Sequence, residues 1–136
     1  MSELKIITDD RGILIPLEFK DLPFFPQRLF IVKSVPIGTK RGGHAHYNTQ
    51  QILICLKGKI KVILHDGLQE FVSYITENET KFIDSLIWDT QEFTSGQDVM
   101  LVLCSTPYEE QDYIRDFQEF KKYALHKKYK HRSLWE

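Results

Sequence analysis

The sequence predicts an all-β domain, a barrel or sandwich of short strands closed by one short C-terminal helix, and three observations lead there. Short runs rich in β-branched and aromatic residues recur up to about residue 105, each bounded by Gly, Pro, Asp or Asn. Turn chemistry lies between neighbouring runs at Lys57-Gly58-Lys59 and His65-Asp66-Gly67. Beyond residue 112 the period changes, and Tyr113, Phe117, Phe120 and Tyr123 recur at helical spacing with charges between them.

Taken in order, Leu4 to Ile7 and Leu14 to Leu17 are the first strand signals, and Ile6, Ile7, Ile13, Leu14 and Ile15 form apolar edges that need cover. That cover comes from this chain or from a second copy. Arg28 to Val35 follows and stops at Pro36. Gly42-Gly43 breaks any helix ahead of His44 and His46, so this pair is expected on a strand, where residues two apart point to one face. Gln51 to Leu56 is apolar apart from Gln51, Cys55 itself behaving as a small hydrophobe. In Lys59 to His65 the lysines mark the solvent side, which assigns Ile60 and Val62 to the core. His65 then falls at a hairpin turn, away from any pocket. Glu70 to Ile75, Lys81 to Ile83 and Val99 to Ser105 complete the set.

A chain of 136 residues with 42% hydrophobic content suits a single domain over residues 1–136, with residues 122–136 read as a basic, solvated tail. The formal net charge of −1 argues against broad nucleic-acid binding. The basic stretch from His126 to Arg132 is the one exception and reads as a solvated face. No apolar run approaches the ~18 residues of a membrane span. Met1-Ser2-Glu3-Leu4-Lys5 has no signal-peptide pattern, so the expected location is the cytoplasm. Cys55 and Cys104 lie in separate apolar runs with no CxxC partner and are expected to be reduced core residues.

Chemistry concentrates in Gly38-Thr39-Lys40-Arg41-Gly42-Gly43-His44-Ala45-His46, followed by Gln51 and Gly58. The spacing of Gly38, His44, His46, position 51 and Gly58 resembles the first signature of the cupin superfamily, with Gln51 where metal-dependent members have Glu. A neutral amide oxygen is a poorer transition-metal ligand than a carboxylate. No histidine occurs from Lys81 to Phe93, where a further ligand would come from the second signature. The expectation is a cupin-type jelly-roll barrel with no metal and no cofactor. Imidazole suits proton transfer near neutrality, so the pair reads as acid–base machinery, or else as hydrogen-bonded barrel lining without chemistry.

The resemblance narrows further. Asp10-Arg11-Gly12, Gln27-Arg28-Leu29-Phe30-Ile31, Arg41-Gly42-Gly43-His44-Ala45-His46, the run from Gln51 to Gly58, His65-Asp66-Gly67, and Asp112-Tyr113-Ile114-Arg115 with Phe120 follow the order of the WxcM-like nucleotide-sugar 3,4-ketoisomerases. Together they cover about residues 9 to 121. After Trp88 that family usually carries a His-Glu pair, whereas this chain reads Asp89-Thr90-Gln91-Glu92; if that histidine serves the chemistry elsewhere in the family, this chain manages with Asp89 or Glu92, or does without.

The resemblance implies metal-independent conversion of dTDP-4-keto-6-deoxyglucose to a 3-keto isomer, within the biosynthesis of 3-amino-3,6-dideoxy sugars for surface glycans, by a homodimer that shares N-terminal strands. The hydrogen on carbon 3 is acidic because the carbon 4 carbonyl accepts its electrons. By analogy with the related 3,5-epimerases, His44 is the expected carbon base, with His46 shuttling protons at the oxygens or holding charge. The two roles are exchangeable at this level. Arg41 and Arg28 are candidates for the diphosphate, since guanidinium forks match phosphate oxygens. Gln51 is a candidate for a sugar hydroxyl or the base, and Trp88 either stacks on a ring or fills the barrel. Two other readings stay open: a non-catalytic cupin that binds a sugar nucleotide as sensor or accessory subunit, and a metalloenzyme recruiting Glu92.

Overall fold

The computed structural model describes residues 3–133, with side chains as far as Lys128. Eleven strands follow in order: β1 (Ile7–Asp9), β2 (Gly12–Leu14), β3 (Arg28–Lys33), β4 (Lys40–His46), β5 (Gln51–Lys57), β6 (Lys59–His65), β7 (Glu70–Thr76), β8 (Thr80–Ile83), β9 (Trp88–Phe93), β10 (Val99–Cys104) and β11 (Tyr113–Ile114). One helix, α1 (Phe117–Ser133), closes the described chain. Two antiparallel sheets face each other, of strand order β3-β10-β5-β8 and β11-β4-β9-β6-β7, while β1 and β2 form a separate hairpin.

Alternation along the strands places the core between the sheets. Leu53 and Cys55 from β5, Ile60 and Val62 from β6, Phe93 from β9, and Met100 and Val102 from β10 are all buried there. The assignment of Ile60 and Val62 to the core therefore holds. Cys55 and Cys104 are both free and buried, as expected, and burial pushes the Cys55 thiol up to about 11. The β5–β6 turn depends on Gly58, at φ 87°, because a Cβ there would fall 2.0 Å from Asp98 Oδ1. That carboxylate is fully buried and accepts hydrogen bonds from the Lys59 and Ser95 backbone N–H groups and the Ser95 hydroxyl.

Four expectations need correction. Tyr113 is not helical: it lies on β11, paired with His46 of β4, and the helix starts only at Phe117. Asp116 sets that start, its Oδ1 accepting the Glu119 N–H at 3.0 Å as an N-cap does. The region from 122 is not a loose tail as far as 133 but part of α1, with Ala124 buried and Lys128 paired to Asp66 at 2.8 Å; residues 134–136 lie outside the described chain. The first hairpin turns at Asp10-Arg11, where the Arg11 N–H donates to Asp9 Oδ1, so β2 is Gly12–Leu14 rather than Leu14 to Leu17. Finally, β9 is a strand that no strand signal in the sequence marks. Its inward positions are Asp89, Gln91 and Phe93, and two polar residues on the core side hide the alternation.

The helix covers the outer face of the larger sheet. Phe120 and Ala124 pack with Ala45 of β4 and Ile114 of β11, and Phe117 joins them against Trp88 of β9. His65 ends β6 at the predicted turn, its Nδ1 accepting the Gly67 N–H at 3.0 Å and its ring edge-on to Phe117. No helix among the described residues is long and apolar enough to cross a membrane.

Candidate active site

A cavity of about 290 Å³ opens between the sheets, lined by Arg28 of β3, Arg41 and His44 of β4, Gln51 of β5, Asp89 and Gln91 of β9, and Tyr113 of β11, among others. Its chemistry rests on an irregularity in β4. Gly42 pairs with Thr90 and His44 with Asp89, so Gly43 is an extra residue, a β-bulge. On a regular strand positions 41 and 44 point to opposite faces; the bulge turns both toward the cavity. Two glycines serve it because both adopt positive φ, 83° at Gly42 and 74° at Gly43. A Cβ on Gly42 would also lie 2.8 Å from the Asp89 carbonyl oxygen.

His44 and His46 do not share the cavity equally. His44 lines it, whereas His46 is buried behind it, its ring centroid 5.1 Å from that of His44 and 4.5 Å from Tyr113. Burial is the main force on both. It lowers the His44 pKa below 6.5, helped by the Arg115 charge, and pushes His46 down to about 4, with His44 itself next in effect. Both rings are therefore neutral at pH 7. For His44 that is the form a base requires.

The backbone beyond His46 is held firmly. Asp112, itself buried, accepts hydrogen bonds from the Asn48 and Thr49 backbone N–H groups and the Thr49 hydroxyl, and its own carbonyl accepts the Tyr47 N–H. This fastens β11 beside β4 and brings Tyr113 to the cavity. Sequence reasoning missed Tyr113 because its spacing from Phe117 matches a helix; the Asp112-Tyr113-Ile114-Arg115 motif was the available signal.

Arg28 and Arg41 both line the cavity, and neither forms an ion pair with a described carboxylate. Arg28 instead lies over the rings of Phe30 and Tyr108, 4.8 and 5.0 Å from their centroids. Gln51 lines the floor, its amide directed at Cys104 Sγ at 3.5 Å. Two candidates fall elsewhere. Trp88 points outward to pack on Phe117 and Phe120, and Glu92, also outward, lies 3.9 Å from Lys61. Among the described residues no three His, Cys, Asp or Glu side chains converge on one point.

Asp89 was seen in sequence only as a departure from a pattern. In the structure it is 2% exposed, faces the cavity beside His44, and accepts a hydrogen bond from Gln91 Nε2 at Oδ2. Its Oδ1 is the one buried side-chain polar atom among the described residues without a hydrogen-bond partner. Burial pushes this carboxyl up to about 7, against the opposing effect of Gln91.

Fold and cavity together define a cupin-type barrel whose interior presents a neutral histidine, a buried carboxyl and two unpaired guanidinium groups. Residues 1–125 match the family model described as FdtA, WxcM-like, C-terminal, and the chain belongs to that family of ketoisomerases. It is 37% identical over 123 residues to the TDP-4-oxo-6-deoxy-α-D-glucose-3,4-oxoisomerase of Aneurinibacillus thermoaerophilus, spanning 88% of this chain and 87% of that one. Its backbone superimposes on the sugar 3,4-ketoisomerase QdtA of Thermoanaerobacterium thermosaccharolyticum, solved with TDP, at a TM-score of 0.88 with 32% identity over 93% of each chain. A 3,4-ketoisomerase of Helicobacter canadensis gives 0.85 at 31% identity over 90% of this chain and 94% of that chain.

Proposed function

We propose that this protein isomerises dTDP-4-keto-6-deoxyglucose to a dTDP-3-keto-6-deoxyhexose with His44 as the base that takes the carbon 3 proton. The carrying observation is the placement of His44, a neutral imidazole lining one cavity with two arginines that lack described carboxylate partners. A 4-keto sugar placed there loses the carbon 3 proton to His44 and, as its carbon 4 oxygen takes up a proton, becomes an enediol; His44 then returns its proton to carbon 4 as the carbon 3 oxygen gives one up. The Aneurinibacillus thermoaerophilus relative is named as an oxoisomerase of this sugar nucleotide, and a mutant of QdtA was solved in complex with TDP-4-keto-6-deoxyglucose. Arg28 and Arg41 hold the diphosphate, and Gln51 hydrogen-bonds a sugar hydroxyl. His46 touches His44 from behind and fixes its ring. The 3-keto product carries its carbonyl where a transaminase installs nitrogen, which fits a route to 3-amino-3,6-dideoxy sugars.

We further propose a homodimer. Among the described residues the β1–β2 hairpin pairs with no other strand, yet it leaves Ile7, Ile13 and Leu14 exposed.

The test is proton NMR of the substrate in deuterated water with metal-stripped protein and with His44→Asn. Conversion to a 3-keto sugar carrying deuterium at carbon 4, lost in the variant, supports the reading. Binding of dTDP without conversion or exchange overturns it and leaves a sugar-nucleotide sensor.

A further inference from the structure

An isomerisation between carbons 3 and 4 moves two protons, one between carbons and one between oxygens, and His44 accounts for only the first. We propose that Asp89 is the acid–base group for the oxygens. As a neutral acid it gives its proton to the carbon 4 oxygen while His44 removes the carbon 3 hydrogen, leaving an uncharged enediol, a carboxylate and an imidazolium. The carboxylate then takes the proton from the carbon 3 oxygen, the imidazolium returns its proton to carbon 4, and the 3-ketone forms with both groups restored. No other reactant is required. The inference rests on the isomerase reading above.

Placement carries it. Asp89 is directly opposite His44 in the β4–β9 register, and both side chains face the same cavity. Gln91 occupies Oδ2 and leaves Oδ1 without a partner, in a protein where every other described buried side-chain polar atom has one. A buried, unshared carboxyl oxygen costs stability unless something is given to it, and a sugar hydroxyl or carbonyl is suited to fill it. His46, the other candidate for the oxygens, does not reach the cavity wall.

The proton affinity of Asp89 fits the task. Burial pushes it up to about 7, so acid and carboxylate are both accessible near neutrality, whereas His46 at about 4 is too weak a base to collect a hydroxyl proton. The charged or titratable groups facing Asp89 are His44 and Arg41 from β4, Arg28 from β3 and Tyr113 from β11; on β6 its neighbour is Leu64.

The experiment compares wild type, Asp89→Asn and His44→Asn for dTDP affinity, for kcat and KM across pH, and for deuterium incorporation. Asparagine keeps the shape and a hydrogen bond to Gln91 but cannot exchange a proton. The expected result for Asp89→Asn is kcat lowered ~10²-fold or more at nearly unchanged KM and dTDP affinity. In wild type the rate falls as pH rises through the Asp89 pKa, because the acid form is lost; in the variant this alkaline limb is absent. A variant within about twofold of wild-type kcat, or one that is slow but retains the alkaline limb, overturns the assignment while leaving the isomerase reading intact. Wild type that binds dTDP without turnover defeats both. Should Asp89→Asn fail to fold or bind, carboxyl carbon-13 NMR of wild type decides: an Asp89 titrating near neutrality supports the assignment, and one ionised in the ordinary aspartate range overturns it.

Discussion

Across the β4–β9 pair, His44 and Asp89 face each other, and burial moves their proton affinities toward the uncharged form of each, down for the imidazole and up for the carboxyl. For His44 the sign is favourable to a base: it stays neutral below the usual 6.5, so the acid limb of kcat/KM should fall below that value, and His44→Asn should lose ~10²- to 10⁴-fold in kcat. His46→Asn should lose less, because that ring touches His44 rather than the cavity. For Asp89 the raised pKa is a stability cost. The native state holds its proton up to about 7 and the unfolded chain only to about 3.8, so the cost is absent at low pH, grows between those values and is complete above them. Asp89→Asn should therefore raise the stability at pH 8, by on the order of a few kcal/mol at most, and the melting temperature with it, but not at pH 4. A pH-independent change in a thermal melt would defeat that expectation. The histidines and arginines of the cavity were legible in the sequence as residue types. Which histidine reaches the wall was not, since that depends on the bulge and on Tyr113 filling the space beside His46.

At the scale of elements, most strands were legible because their core positions are apolar. The two strands that were missed both border the site: β9 turns Asp89 and Gln91 inward, and β11 is only two residues long. In β3 both faces carry apolar residues, Phe30 and Val32 inward and Leu29 and Ile31 about half exposed, so alternation does not mark Arg28 as facing the cavity. A hydrophobicity rule cannot find a polar interior, because it is the ligand and not the core that such residues serve. The bulge in β4 is the decisive element. Gly42→Ala would place a Cβ 2.8 Å from the Asp89 carbonyl at a φ of 83°, a strain of ~1–3 kcal/mol that the strand relieves by shifting His44. A shift of ~1 Å costs ~10²-fold in rate, so this variant should lose kcat more steeply than stability. Gly58→Ala provides the contrast. Its Cβ would collide with the buried Asp98 carboxylate, which is not among the cavity lining, and should lower the melting temperature and soluble yield while leaving kcat per folded molecule unchanged. Equal effects on kcat from the two variants would refute the distinction.

For the molecule as a whole, the two sheets leave β3 at an open edge, and it is this strand that supplies Arg28, Phe30 and Val32 to the cavity. Its outer face carries Leu29 at 53% exposure and Ile31 at 52%, while the unpaired β1–β2 hairpin adds Ile13 at 64% and Leu14 at 62%. Apolar surface on an edge strand and on a hairpin without a neighbouring sheet is what a second copy would cover, and an edge so covered no longer frays. The proposed dimer thus has a consequence for the site: β3 is rigid on its inner face only if its outer face is packed. Sedimentation of the full chain should give twice the 16.1 kDa protomer mass. The double variant Ile13→Asp with Leu14→Asp should sediment as a monomer and bind dTDP more weakly, because the cavity would lose the fixed position of Arg28, while its barrel core remains folded. A monomer with undiminished dTDP affinity would show that β3 holds its place unaided and would separate assembly from the site; a wild-type protein that is itself monomeric would remove the dimer altogether.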